Sequence, residues 1–264
     1  MFRDLSVWAR RASECRNPYI LARALAYDRD RFEVLKVAAG LTPAQARPLL
    51  REIEDDTAFL TEVRTRLSRW TNYKPRAIDF MMYLQSGSVF FNEVTMYTIV
   101  RALQPAVMVE TGGTPGKSSA FILRAMQRNG RGHLYTIDLT PPAAPEDKLS
   151  RHESWHDQSP VGAGSGWIVP DDLRERHTLL IGKSSEQLPP LLDKLNHKLD
   201  IFLHDSDHSY ENMTWEFATA FPALGRTGLL LSDDVLANKS FFDFCDQHGL
   251  RRANVFNLGA ARLP

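Results

Sequence analysis

The sequence predicts an α/β fold: a mostly parallel sheet with helices on both faces, preceded by a helical region. Three observations carry the prediction. From Ala106 onward, short and almost wholly apolar runs recur: "AVMVE", "HLYTID", "HTLLIG", "LDIFLHD" and "GLLLSDD". Amphipathic segments at about 117–129, 185–197, 211–224 and 239–248 alternate with them. Four of the runs end in acids, at Glu110, Asp138, Asp205 and the Asp233–Asp234 pair. Apolar strands alternating with helices build a parallel sheet buried on both sides, because each crossover lays a helix on one face. Ligands of such sheets sit at the carboxyl ends of the strands, which is where these acids fall.

The preceding residues, 1–104, read as helical. "ALAYDRDRFEVLKVAAG" and "TPAQARPLLREIEDDTAFLTEVRTRLSRW" place apolar residues three and four apart. In the second, Thr42 is a candidate cap with Pro43 in the first turn. "NYKPRAIDF" breaks the pattern, and "SVFFNEVTMYTIVRALQP" restores it until Pro105. The aromatic residues around this join read first as a packing face and second as part of an acceptor pocket. The expected organisation is therefore a helical region over 1–104, serving as cap, oligomer contact or acceptor pocket, and a ligand-binding catalytic domain over 105–264. Residues 140–170, "TPPAAPEDKLSRHESWHDQSPVGAGSGWIVP", interrupt the alternation with prolines, glycines and serines. A connection this long is usually functional or disordered, and it follows the second strand on the ligand side. It reads as an active-site lid or as an insertion without a catalytic role.

Composition narrows the classes. The 264 residues allow one large domain, or one domain with an appendage. Lys plus Arg, 32, balance Asp plus Glu, 32, which argues against a dominant nucleic-acid footprint. Cys15 and Cys245 lie far apart without metal-ligand spacing, so reduced structural thiols are expected. No apolar run approaches the roughly 20 residues of a membrane span. The start, "MFRDLSVWARRASECR", carries charges throughout and lacks an apolar signal core. These features lead to the expectation of a cytoplasmic protein acting on a small molecule, without nucleic-acid or membrane partners, and homo-oligomeric through its helices.

"VETGGTPGKSSAF", residues 109–121, resembles a phosphate loop at first sight. A P-loop needs glycine five residues before Gly116, where Thr111 stands, and Pro115 removes a backbone donor from the cradle. G-x-G-x-x-G fails as well, because Thr114 stands two residues after Gly112. What remains is a strand ending in Glu110, then Gly112 and Gly116, then Ser118 at a helix start. Such glycines allow a sharp turn and close backbone approach to a ligand. The adjacent acid would repel a phosphate and suits a ligand carrying an ammonium and a sulfonium, S-adenosylmethionine (SAM). Asp138, ending the next strand, is placed to accept hydrogen bonds from ribose hydroxyls. The plainer reading of Glu110 and Asp138 is as turn and cap residues.

Taken together, "VETGGTPGKSS", "YTIDL", "FLHDSDHSYENM" and "GLLLSDDV" resemble the class I SAM-dependent methyltransferases. Within that class they resemble the metal-dependent O-methyltransferase group containing macrolide-sugar O-methyltransferases and cephalosporin-hydroxylase-like proteins. The resemblance runs from about Ser88 to the C-terminus and implies a Rossmann-like, mostly parallel sheet of seven strands. It implies cofactor contacts by Glu110, Gly112, Gly116, Ser118 and Asp138, and places Ser184 or Ser185 near the adenine. A serine cap before Glu186 explains those two equally well. Lys117 and Lys183 read as solvated charges.

Asp205 and the Asp233–Asp234 pair lie one strand–helix–strand unit apart, so adjacent strand ends would gather three carboxylates. Crowded carboxylates call for a hard divalent cation such as Mg2+, which oxygen-only ligands select. The resemblance assigns metal ligation to Asp205, Asp233 and Asp234, although relatives often carry Glu-Asp or Asp-Asn where this chain has Asp-Asp. "SDD" as a helix cap is the competing reading. His208 stands where the resembled sugar methyltransferases place a general base, and a histidine suits proton removal near neutral pH. It also reads as an ordinary helix-start histidine. The expected function is SAM- and metal-dependent O-methylation of a hydroxyl on a sugar, polyketide or catechol-like intermediate. The alternatives are a hydroxylase-type enzyme, for which no redox fingerprint is evident, and a non-catalytic SAM-binding accessory protein.

Overall fold

The computed structural model describes residues 18–69, 90–139 and 163–264. Four helices come first: α1 (Pro18–Ala39), α2 (Pro43–Glu54), α3 (Thr57–Leu67) and α4 (Phe91–Leu103). The alternating part follows as β1 (Val107–Thr111), α5 (Lys117–Asn129), β2 (His133–Asp138), a 3-10 turn (Asp171–Arg176), β3 (His177–Ile181) and α6 (Ser184–Lys194). It continues as β4 (Ile201–His204), α7 (Tyr210–Leu224), β5 (Leu229–Ser232), α8 (Ser240–Gln247), β6 (Arg251–Val255) and β7 (Leu258–Arg262). Among the described residues no helix is long and apolar enough to cross a membrane. Cys245 is buried and free, while Cys15 lies outside the described residues.

Local chemistry explains the helix limits. Thr42 and Gln45 form a reciprocal capping box at the start of α2, with Pro43 in its first turn as expected. The stretch 42–70, read as helical from its spacing, forms two helices. Asp56 breaks it by capping α3, its side chain accepting from the backbone N of Phe59. That carboxylate also meets Arg124 at 2.7 Å and Arg128 at 2.8 Å on α5, so the break is fixed by a partner distant in sequence.

The seven strands form one sheet in the order β3-β2-β1-β4-β5-β7-β6. Only β7 runs antiparallel to its neighbours, closing a hairpin with β6. Alternation along the strands divides the apolar residues into two cores, as a period of two requires. Met108, Ile201, Leu203, Leu229, Leu231 and Ala260 face the core shared with α1–α5. Val109, Phe202, Leu230 and Ala261 face the core shared with α6, α7 and α8. Val34, Leu50 and Val63 of the N-terminal helices belong to the first core together with Leu258, so helices and sheet share one interior.

The register sets the functional edge. Thr111 pairs with Ile137 on one side and His204 on the other, and His204 pairs with Ser232. The next residue of each strand or loop is therefore Asp138, Gly112, Asp205 and Asp233, side by side. Strands about 4.8 Å apart bring these four positions into one row. The order reverses direction at β1 and β4, the switch point where such sheets open a ligand crevice.

Candidate active site

The glycine turn closes the middle of that row. Gly112 has φ +83°, and its backbone N donates to Ile137 O at 2.8 Å. A Cβ on Gly112 would lie 1.9 Å from the carbonyl oxygen of Asp205, so only glycine lets the β1 turn pass beside the β4 loop. Gly116 occupies the position before α5, where a Cβ would press on the backbone of Gly166. Residues 163–170, the end of the expected lid, lie against this turn: Ile168 N donates to Pro115 O at 3.2 Å, and Ser165 Oγ to Leu139 O at 3.0 Å. The remainder, 140–162, lies outside the described residues.

Glu110 lies beneath the turn, fully buried. Its carboxylate accepts from Ser118 Oγ, from Ser119 Oγ at 2.5 Å and from Thr136 Oγ1 at 2.9 Å. Burial pushes its pKa up to about 7 against the pull of these three hydroxyls. The structure thus brings Glu110 and Ser118 to each other and adds Ser119 and Thr136, which the sequence did not single out. Asp138 accepts from Thr114 Oγ1 at 2.7 Å, tying the second strand end to the turn. Ser184 and Ser185 begin α6, beyond the edge strand β3. The cap position there is Lys183, which makes no side-chain cap hydrogen bond, so the expected serine cap is displaced by one residue.

On the other side of the turn, Asp205 follows β4, and Asp233 and Asp234 follow β5. Asp234 adopts φ 48°, unusual for a residue with a side chain, and Asn257 Nδ2 donates to its Oδ1 at 2.6 Å. Asn92 Nδ2 bridges Asp233 Oδ1 at 3.3 Å and Asn257 Oδ1 at 3.0 Å. Burial and then the charge of Asp233 raise the pKa of Asp205. Burial and then Asp234 push Asp233 up to about 7. The carboxylates therefore do act on one another. As their side chains stand, no three His, Cys, Asp or Glu among the described residues meet the spacing of a metal-ligand set.

His208 lies between two of these acids: its Nε2 is 3.8 Å from Asp205 Oδ1 and its Nδ1 is 3.9 Å from Asp234 Oδ2. Burial first, then the neighbouring His204, hold its proton affinity below the usual histidine value. His204 is turned into the helical layer. Its Nδ1 meets Glu216 Oε2 of α7 at 2.7 Å, both side chains fully buried, and its ring stands edge-on to His208 at 5.2 Å. Glu216 also accepts from Thr111 Oγ1 at 2.5 Å and Ser206 Oγ at 2.7 Å, so one carboxylate ties the ends of β1 and β4 together. Sequence offered one signal for Glu216, a charge on an otherwise apolar helix face.

A further residue enters from α4, next to Asn92. Lys117, expected to be a solvated charge, instead pairs with Glu93 at 2.9 Å, and only 24% of the lysine side chain and 9% of the glutamate side chain are exposed. The α4 turn beside the sheet edge takes the lysine out of solvent.

A family model described as a methyltransferase domain matches residues 109–235. No curated protein matches the chain. Among solved structures, the chain is similar to the SAH-bound methyltransferase PaMTH1 of Podospora anserina, at 14% identity and TM-score 0.49, over 85% of this chain and 97% of that one. It is also similar to an O-methyltransferase from Bacillus cereus in complex with SAH, at 13% identity and TM-score 0.48, over 78% of this chain and 90% of that one. A methyltransferase from Geobacter sulfurreducens is 20% identical with TM-score 0.43, over 65% of this chain and 78% of that one. At these values the structures stand as likenesses only.

Proposed function

We propose that this chain, which carries a methyltransferase domain over residues 109–235, is a SAM- and divalent-metal-dependent O-methyltransferase. Its acceptor in this reading is a hydroxyl of a small molecule, a sugar, polyketide or catechol-like intermediate, met in the cytoplasm by a homo-oligomer. The observation that carries the proposal is the strand register, which aligns Asp138, Gly112, Asp205 and Asp233 on one edge of the sheet.

In this reading the cofactor lies over the β1 turn. Gly112 and Gly116 allow the backbone to approach it, Asp138 takes the ribose hydroxyls, and Ser184 and Ser185 flank the adenine. Glu110 contributes from below: through Ser118, Ser119 and Thr136 it holds the turn in shape. Asp205, Asp233 and Asp234 are oxygen donors of the kind a hard divalent cation takes, and these three would hold it once their side chains, which do not form a ligand set as they stand, turned towards one ion. When bound, such an ion supplies Lewis acidity and lowers the pKa of an acceptor hydroxyl. His208, kept neutral by burial, is the group that takes the hydroxyl proton. Asn92 and Asn257 hold the carboxylates in place. Catalysis then comes mainly from proximity and preorganised charge.

The test is methyl transfer from SAM to a catechol and to a vicinal-diol sugar, followed by mass shift, with Mg2+ and with chelator. Transfer that needs Mg2+ supports the proposal; full transfer in chelator removes the metal from it.

A further inference from the structure

Glu216 has no task in the reading above, although its side chain is fully buried. The other buried residues of α7, Met213, Phe217, Ala220, Ala223 and Leu224, are apolar. A buried charge adds little stability over a well-packed apolar side chain, so its presence calls for a geometric reason.

Its hydrogen bonds supply one. Oε2 accepts from Thr111 Oγ1 at 2.5 Å and meets His204 Nδ1 at 2.7 Å. Oε1 accepts from Ser206 Oγ at 2.7 Å and from Asn212 Nδ2 at 3.3 Å. Thr111 directly precedes Gly112, while His204 and Ser206 flank Asp205. These are the two backbones that cross most tightly at the sheet edge: a Cβ on Gly112 would lie 1.9 Å from Asp205 O and 3.0 Å from Ser206 N. Glu216 thus grips both backbones one residue from their crossing. The Ser184 hydroxyl, at the start of α6, also helps to hold its proton affinity down. One side chain of α7 therefore acts on the β1 turn, the β4 loop and the first residue of α6.

We propose that Glu216 is a positioning residue of the cofactor site, fixing the spacing between the Gly112 turn and the Asp205 loop at which SAM is held. The proposal rests on the SAM reading above. Glu216 acts through Thr111 and Ser206 and not by touching the cofactor. A binding group has to be held to within about 0.5 Å, so a tie lost beside so close a crossing is felt at the ligand.

The test is calorimetric titration of SAM into the full chain, at a temperature well below unfolding. Glu216→Gln keeps the shape of the side chain but turns an amide group towards one pair of donors. It is expected to weaken SAM binding about tenfold. Thr111→Val and Ser206→Ala each remove one tie and are expected to weaken binding as well. The double variant Glu216→Gln/Thr111→Val is expected to lose less than the sum of its two single changes, because both act on the same tie. Gly130→Ala, a change at the far end of α5, is expected to bind SAM as the wild type does, which separates positioning from stability. Unchanged affinity in Glu216→Gln overturns the role and leaves the SAM site standing. Should that variant not fold, unchanged affinity in both Thr111→Val and Ser206→Ala does the same. Equal weakening by Gly130→Ala also overturns it. No SAM binding by the folded wild type overturns the SAM reading itself, and the inference with it.

Discussion

Glu216 and Glu110 are both fully buried carboxylates, yet they titrate in opposite directions. Burial raises the proton affinity of each. At Glu216 the hydrogen bond and charge of His204 outweigh burial and hold the pKa at about 2. At Glu110 three neutral hydroxyls do not, and the pKa reaches about 7. The signs follow by linkage. The Glu216 contribution is present above its ordinary pKa of 4.5 and is lost as pH falls towards about 2. The Glu110 contribution is full below 4.5 and is lost as pH rises through about 7. Urea unfolding across pH should therefore show Glu110→Gln abolishing a loss of stability between about pH 4.5 and 7, on the order of 3 kcal/mol. Glu216→Ala leaves His204, Thr111 and Ser206 facing a cavity, and should cost about 3–5 kcal/mol at pH 7 in the same assay.

Among the elements, the β1 turn is the least tolerant of substitution. Gly112→Ala forces a methyl to within 1.9 Å of a backbone carbonyl at φ +83°. Gly130 ends α5 at φ +66°, and a methyl added there would meet nothing within 4 Å, so it serves as the reference for backbone strain alone. Gly130→Ala should cost about 1–2 kcal/mol, and Gly112→Ala substantially more, measured by urea unfolding. The turn was legible in sequence because a strand, an acid and spaced glycines occur together. The five parallel strands were legible because each is a short apolar run, four of them closed by an acid. The β6–β7 hairpin was not: Arg251 and Arg252 are exposed, and small alanines replace the apolar alternation of a strand. The α2–α3 break escaped because helical spacing continues across Asp55 and Asp56, and its cause is two arginines on α5. The Lys117–Glu93 pair escaped for a related reason, since it comes from where α4 docks against α5.

For the whole molecule, the N-terminal helices and the sheet are one packed unit. Leu35, Ala38, Leu50 and Ile53 are fully buried in the same core as Val255, Leu258 and Ala260, and Arg262 Nη1 donates to Ala38 O at 3.0 Å. Removing residues 1–89 would expose that face of the sheet and of α4. A 90–264 fragment should therefore lack a cooperative thermal transition by circular dichroism; a two-state melt near that of the full chain would show that the sheet folds without the helices.

The central claim is that the row of strand ends at β1, β2, β4 and β5 is a SAM site. Calorimetric titration of SAM into the full chain tests it most directly, in parallel with Asp138→Ala, whose fold is checked by circular dichroism. The account predicts saturable binding of one SAM per chain, weakened at least tenfold by Asp138→Ala. No binding to the folded wild-type chain, or equal binding by the variant, would contradict it.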